Sequence, residues 1–307
     1  MRNTSLLLLA SLIACSPEKE ESTTRGHLKL LVGESVAPPI VAEVDEFLRS
    51  YQEGGATISY SIVSSERANS LFVLDSVHTI ITAVPLMETD RKTVKELTKD
   101  FIEIVLAYDG VVAVVHGTNP TVKVTLEQIR DILKGTITKW EQLRQTKKMH
   151  GKIRLVLQDS SDVNSYLSRR LLHGIDIHVG QRRTSSSIQT LQDVANDPLS
   201  LGFVGLSWVD SAKTGARILE LAGTLATADT QYLPPIESIG SFYRPHPAHL
   251  YRNYYPMKRA MYIYSRSTRG DLATGFTTFL ATLEGQQIFL QKNLLPATQK
   301  IRLKPSL

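Results

Sequence analysis

From His27 the chain alternates between short apolar, β-branched runs and longer stretches in which apolar positions recur every three or four residues. HLKLLVG predicts a strand ending in glycine. After GESVAPPI, the segment VAEVDEFLRSYQ predicts a helix that stops before Gly54-Gly55. ATISYSIV is the next strand, SSERANSLFVLDSV a loop and helix, and HTIITAVPL a buried strand ending at Pro85. METDRKTVKELTKD reads as a charged surface helix. FIEIVLAYDGVVAVVHG is continuous and too rich in Val and Ile for a typical helix, so it predicts one long strand. TLEQIRDILKG is a helix closed by Gly135, and KIRLVLQD a strand that feeds QDSSDVNSYLSRRLL. There Val163, Leu167 and Leu171 stand four apart behind Asp159, Ser160 and Ser161, residue types that cap a helix start. Strands interleaved with helices argue for α/β architecture with mostly parallel sheets. Ligands of such sheets lie where strand ends run into helices, and GESVAPP, VSSERA and QDSSDVN occupy that kind of position.

The first residues carry a different pattern. Arg2 precedes LLLLASLIA, an apolar run too short for a membrane span of about 20 residues, so residues 1–14 read as a secretory signal. Leu12-Ile13-Ala14-Cys15 resembles the lipobox of bacterial lipoproteins, which implies lipidation of Cys15. Cys15 is the one cysteine in the chain, so no internal disulfide can form. Residues 15–25 are polar and aperiodic, as expected of a tether. Ser16 after the cysteine resembles lipoproteins sent on to the outer membrane, and Lys19-Glu20-Glu21 resembles an acidic export tag. The expected location is therefore the periplasm or cell surface, lipid-anchored, with the outer membrane favoured. What remains is long enough for two lobes with separate cores.

Several segments resemble one family in the right order. YDGVVAVVHGTNPTVKVTLEQIRDILKGTITKWEQL carries Asp109-Gly110, Asn119-Pro120, the Leu126 to Ile129 helix, and Gly135 to Trp140. DPLSLGFVGLSWV, YYPMKRAMYIYSR and EGQQIFLQKNLLPA follow, and GESVAPPIVAEVDEFLRSY precedes. Together, from about Lys29 to Leu303, these resemble the PstS-like phosphate-binding proteins, the solute-binding components of ABC phosphate importers. The resemblance implies a two-lobed, periplasmic-binding-protein-like (type II) clamshell. It places residues 26–106 plus 256–307 in lobe one and 107–255 in lobe two, with the chain crossing near Asp109 and returning near Tyr255. In the family, hydroxyls, backbone amides, an arginine and an aspartate hold the phosphate. Carried over, the ligand residues are Ser35, Val36, Ser64, Ser65, Ser160, Ser161 and Asp162.

The loops also depart from the family. Ala83 and Val84 stand where it has an aspartate or a serine-arginine pair, and Leu157 or Gln158 where its arginine falls. Ser161-Asp162-Val163 replaces Ser-Gly-Thr. A unit charge pair about 5 Å apart at an effective dielectric of about 20 interacts by roughly 3 kcal/mol, so Asp162 opposes a dianion. Arg67, Arg169 and Arg170 are the nearest candidate cations in sequence.

A formal charge of +5 with acids and bases interspersed gives no basic stripe for nucleic acid. His246 and His249 lack a third metal ligand, and neither a Gly-x-Ser-x-Gly elbow nor a glycine-rich phosphate loop marks an enzyme. No cofactor is expected. The leading reading is a lipid-anchored solute-binding protein for phosphate or a related oxyanion, partnered by an ABC permease. The alternative is a PstS-fold lipoprotein with a decayed anion site, acting as an interaction subunit of a cell-envelope complex.

Overall fold

The computed structural model describes residues 20–98, 101–143, 149–177, 181–267 and 270–298. The expected signal, residues 1–14, and Cys15 lie outside the described residues. The chain begins with strand β1 (Gly26–Gly33), helix α1 (Ala37–Tyr51), β2 (Ala56–Val63), α2 (Ser65–Val73), β3 (Thr79–Thr82) and α3 (Glu88–Leu97). The long apolar run is a single strand, β4 (Ile102–Val115), followed by β5 (Lys123–Thr125), α4 (Leu126–Leu133), β6 (Arg154–Gln158) and α5 (Asp162–Leu172). Then come β7 (Gln181–Thr184), α6 (Ser187–Asn196), β8 (Ser200–Gly205), α7 (Leu206–Ala212), β9 (Arg217–Ile218) and β10 (Glu220–Ala222). An irregular stretch holding α8 (Pro247–Tyr251) leads to β11 (Lys258–Ser265), α9 (Leu272–Ala281), α10 (Leu283–Gln291) and β12 (Leu295–Pro296).

Local chemistry accounts for these starts and stops. Prolines open α1, where a missing N–H costs nothing. Thr125 and Gln128 form a reciprocal capping box at α4. Ser161 caps α5 by accepting from Val163 N–H (3.1 Å), and His173 closes it in a left-handed conformation.

One sheet runs β2-β1-β3-β11-β4-β8-β6-β7. Its two wings are parallel, β2-β1-β3 on one side and β8-β6-β7 on the other. Between them β11 and β4 run antiparallel to their neighbours. Parallel pairing thus holds within each wing, and the two crossing strands break it, because one carries the chain over and the other returns it. β4 changes partner in its middle: Ile102 to Gly110 lie along β11, and Val111 to Val115 along β8. Asp109 sits at that change, directly opposite Arg259 in the ladder. The main core spans both wings, and a smaller cluster around Phe72, Ile80 and Tyr264 lies under α2 and α3. The result is a mixed α/β, two-lobed clamshell.

The described part of the expected tether packs onto the folded body. Ser22 and Arg25 pair in a tight turn, and Arg25 Nε donates to the Gly54 carbonyl at 2.9 Å. Glycine at 275 lets this segment lie against α9, because a Cβ there would collide with the Thr23 carbonyl. The folded body therefore begins several residues before His27.

Candidate functional site

Three helix starts meet at the change of partner on β4. Ser35 lies in the turn after β1, Ser65 is the first residue of α2, and Asp162 the first of α5. All three are buried, at 0 %, 0 % and 2 % exposure. Ser35 Oγ donates to Asp162 Oδ2 at 2.6 Å, and Ser65 Oγ donates to the same oxygen at 2.8 Å. Arg259 comes from β11 and completes the group. Its Nη2 donates to Ser35 Oγ at 2.9 Å, and its Nη1 lies 3.6 Å from Asp162 Oδ2. The same guanidinium donates to Asp109 Oδ2 from Nε at 3.0 Å and Nη2 at 2.7 Å. Asp109 Oδ1 accepts from the Leu206 N–H.

The electrostatics follow from this geometry. Burial pulls the Arg259 pKa down, but Asp109 and Asp162 outweigh it and hold the guanidinium above its ordinary value. One cation therefore faces two carboxylates. Buried Nη1 of Arg259 still lacks a hydrogen-bond partner among the described residues. The backbones approach closely here because residue 205 is glycine: a Cβ there would meet the Ser35 carbonyl oxygen.

A third carboxylate lies beside these two. Glu34 Oε1 accepts from the Ser187 N–H at 2.9 Å, and Oε2 accepts from Ser187 Oγ at 2.9 Å, at the first residue of α6. Ser187 Oγ is also 3.2 Å from Gln158 Oε1, and Trp208 Nε1 donates to the Glu34 carbonyl at 2.8 Å. Desolvation raises the Glu34 pKa against the Ser187 and Gln158 hydrogen bonds, and the Asp162 charge raises it further.

The expected site residues separate into three groups. Ser35, Ser65 and Asp162 come together. Ser64, Ser160 and Ser161 line an open pocket of about 530 Å³ beside them. Ser64 caps α2 through Arg67 N–H, and Ser160 adopts a left-handed backbone at φ 48°. Val36 is buried in the core. Of the candidate cations, Arg170 pairs instead with Asp229 at 3.0 Å, Arg169 is exposed on the pocket wall, and Arg67 is exposed.

Glu34, Ser187 and Arg259 were not among the expected residues. Arg259 lay within YYPMKRAMYIYSR, and its role is visible only once β11 is registered against β4, which sets Arg259 beside Asp109. His246 and His249 each serve a local backbone bond, to Ala248 N–H and the Arg244 carbonyl. Among the described residues no group of three or more His, Cys, Asp or Glu side chains could hold a metal ion. Nor is any described helix long and apolar enough to cross a membrane.

Comparison with known proteins bears on this geometry. Residues 17–284 match the model of the PBP superfamily domain. The fold is similar to that of a substrate-binding protein from Clostridium perfringens solved with bound phosphate. The two share 18 % identity at a TM-score of 0.71, over 89 % of this chain and 100 % of that one. It is also similar to an ABC-type phosphate transport receptor from Vibrio cholerae, at 19 % identity and TM-score 0.63, covering 88 % and 100 %. A phosphate-binding protein from Stenotrophomonas maltophilia aligns at 14 % identity and TM-score 0.63, covering 89 % and 91 %. No curated protein matches in sequence. The chain belongs to the PBP superfamily.

Proposed function

We propose that the protein is an extracytoplasmic lipoprotein, anchored through Cys15, that acts as an interaction subunit of a cell-envelope complex and not as a carrier of free phosphate. One observation carries this reading: the donors that would receive an oxyanion, Ser35 Oγ and Ser65 Oγ, both donate to Asp162 Oδ2, at 2.6 and 2.8 Å. Charge supports it. Arg259 already balances Asp109 and Asp162, so an incoming phosphate would enter a site with a surplus negative charge. Another unit charge about 5 Å from Asp162 costs roughly 3 kcal/mol at an effective dielectric of about 20. The pairing of β11 with both β3 and β4 supports a lobe of residues 26–106 plus 256–307 and another of 107–255.

A second reading is favoured by what survives. Ser35, Ser65 and Nη1 of Arg259, which is ion-paired with Asp162 but makes no hydrogen bond among the described residues, are donors suited to an oxyanion. In that reading the protein delivers phosphate or a relative to an ABC permease; two of the similar proteins are named as a phosphate ABC transporter substrate-binding protein and an ABC-type phosphate transport receptor. Thermal unfolding of protein stripped of ligand decides between the two. The first reading expects no rise in Tm with millimolar phosphate or sulfate. A saturable rise fits only the second, since a ligand that binds the native state raises its stability.

A further inference from the structure

We infer that this clamshell is latched closed by its own carboxylates, with Asp162 standing where a bound anion would join the lobes. The inference rests on the proposed reading of the cleft and goes one step past it, from an occupied site to a ligand-independent closed state.

The two acids cross the cleft in opposite directions. Asp162 begins α5 in the 107–255 lobe and is held by Ser35 and Ser65 of the other. Glu34 leaves the turn after β1 and is held by the N–H and hydroxyl of Ser187, the first residue of α6. Each lobe therefore supplies a carboxylate to the start of a helix in its partner, where free N–H groups and the helix dipole favour negative charge. In a binding protein that closes on a ligand, a free anion makes such contacts and its departure lets the lobes part. Here both anions are part of the chain. A tethered group competes at an effective concentration in the millimolar range or above, so it stays in place unless a free ligand exceeds that level.

Three neutral contacts reinforce the crossing. Trp208 Nε1 donates to the Glu34 carbonyl, Tyr166 OH donates to the Lys258 carbonyl at 3.1 Å, and Gly205 brings β8 against the Ser35 backbone. A pocket of about 530 Å³ remains open in the cleft outside the cradle, so closure does not depend on filling the cleft. A partner that recognises the closed clamshell would find it at all phosphate concentrations.

Small-angle scattering of the mature chain, with and without 10 mM phosphate, tests this alongside calorimetry. The wild type is expected to give one closed profile under both conditions. Asp162→Gly should open without phosphate, close with it, and bind phosphate at least about 10-fold more tightly than wild type, from the Coulomb cost removed. Asp162→Asn keeps the side chain's size and guards against misfolding of the glycine variant; it should show a smaller gain in the same direction. An open wild-type profile that closes on phosphate overturns the latch. So does an Asp162→Asn protein that gains no affinity for phosphate. Wild type that is closed in both buffers yet binds phosphate calorimetrically leaves the latch standing and overturns the interaction-subunit reading instead.

Discussion

Two regions of the molecule bury acidic side chains completely and treat them in opposite ways. In the cleft, Asp109 and Asp162 flank Arg259, and each accepts hydrogen bonds from named donors. On α1, Glu43 is also 0 % exposed, but neither of its oxygens has a hydrogen-bond partner among the described residues. Desolvation, with Glu46 and Glu284 adding to it, pushes the Glu43 pKa up to about 9. Glu43 is therefore a neutral acid at pH 7, whereas the cleft acids face a guanidinium, and at Asp109 desolvation raises the pKa against the opposing pull of Arg259. Burial alone does not set the charge of an acid; the donors around it do.

The sharpest way to break the contrast is to remove the cation. Arg259→Met would leave Asp109 and Asp162 facing each other without a counter-charge. Losing one partner of a buried ion pair costs about 3–5 kcal/mol. We expect a loss of that size in urea unfolding at pH 7. A loss below about 1 kcal/mol would mean the two acids are already neutral and the cleft resembles the Glu43 site.

Removing the lone acid should act in the other direction. The folded pKa of Glu43 lies above its ordinary 4.5, so the native state keeps a proton that the unfolded chain releases. Stability should consequently fall as pH rises from about 4.5 to about 9 and level off above that. At pH 7 the window already crossed amounts to about 3 kcal/mol at 1.36 kcal/mol per unit. Glu43→Gln carries no such proton. Urea unfolding at pH 5, 7 and 9 should show the wild-type slope flattened in the variant, which gains most at pH 9. An unchanged slope would place the titration elsewhere.

These two regions also differ in how far the sequence revealed them. Strand and helix order was legible from β1 to α5 except for the short β5, since period and capping chemistry coincide there: Ser161 caps α5 as its residue type predicts. The long apolar run from Ile102 resolved into one strand for the same reason. The antiparallel crossing of β4 and β11 was not legible from periodicity, because alternation says nothing about a strand's direction. Ser35, Ser65 and Asp162 could be named from their loops, but what they do could not. Arg259 lies almost a hundred residues beyond Asp162 in the chain, and only the ladder register brings it to the cleft. Glu34 and Ser187 are likewise separated by the whole crossing. Glu43 looked like any acid on an amphipathic helix; its burial comes from how α1 meets α7, α9 and α10.

The smallest expected effect sharpens the comparison within the cleft itself. Asp162→Asn keeps a carbonyl oxygen that can accept from Ser35 and Ser65, so those hydroxyls remain paired. It gives up the attraction to Arg259 Nη1 at 3.6 Å, which is a looser contact than the 2.7 Å bond from Nη2 to Asp109. Arg259 is left balanced one-to-one by Asp109, and the repulsion between the two acids disappears. A negative charge at the first residue of α5 is also lost, worth about 0.3–1 kcal/mol in helix-dipole terms. These contributions nearly offset, so Asp162→Asn should cost about 1 kcal/mol in urea unfolding at pH 7, a fraction of the Arg259→Met loss. The asymmetry follows from the count of charges: with two acids and one base, removing an acid leaves a matched pair and removing the base leaves none. A loss above about 3 kcal/mol would show that Asp162, and not Asp109, is the principal partner of Arg259.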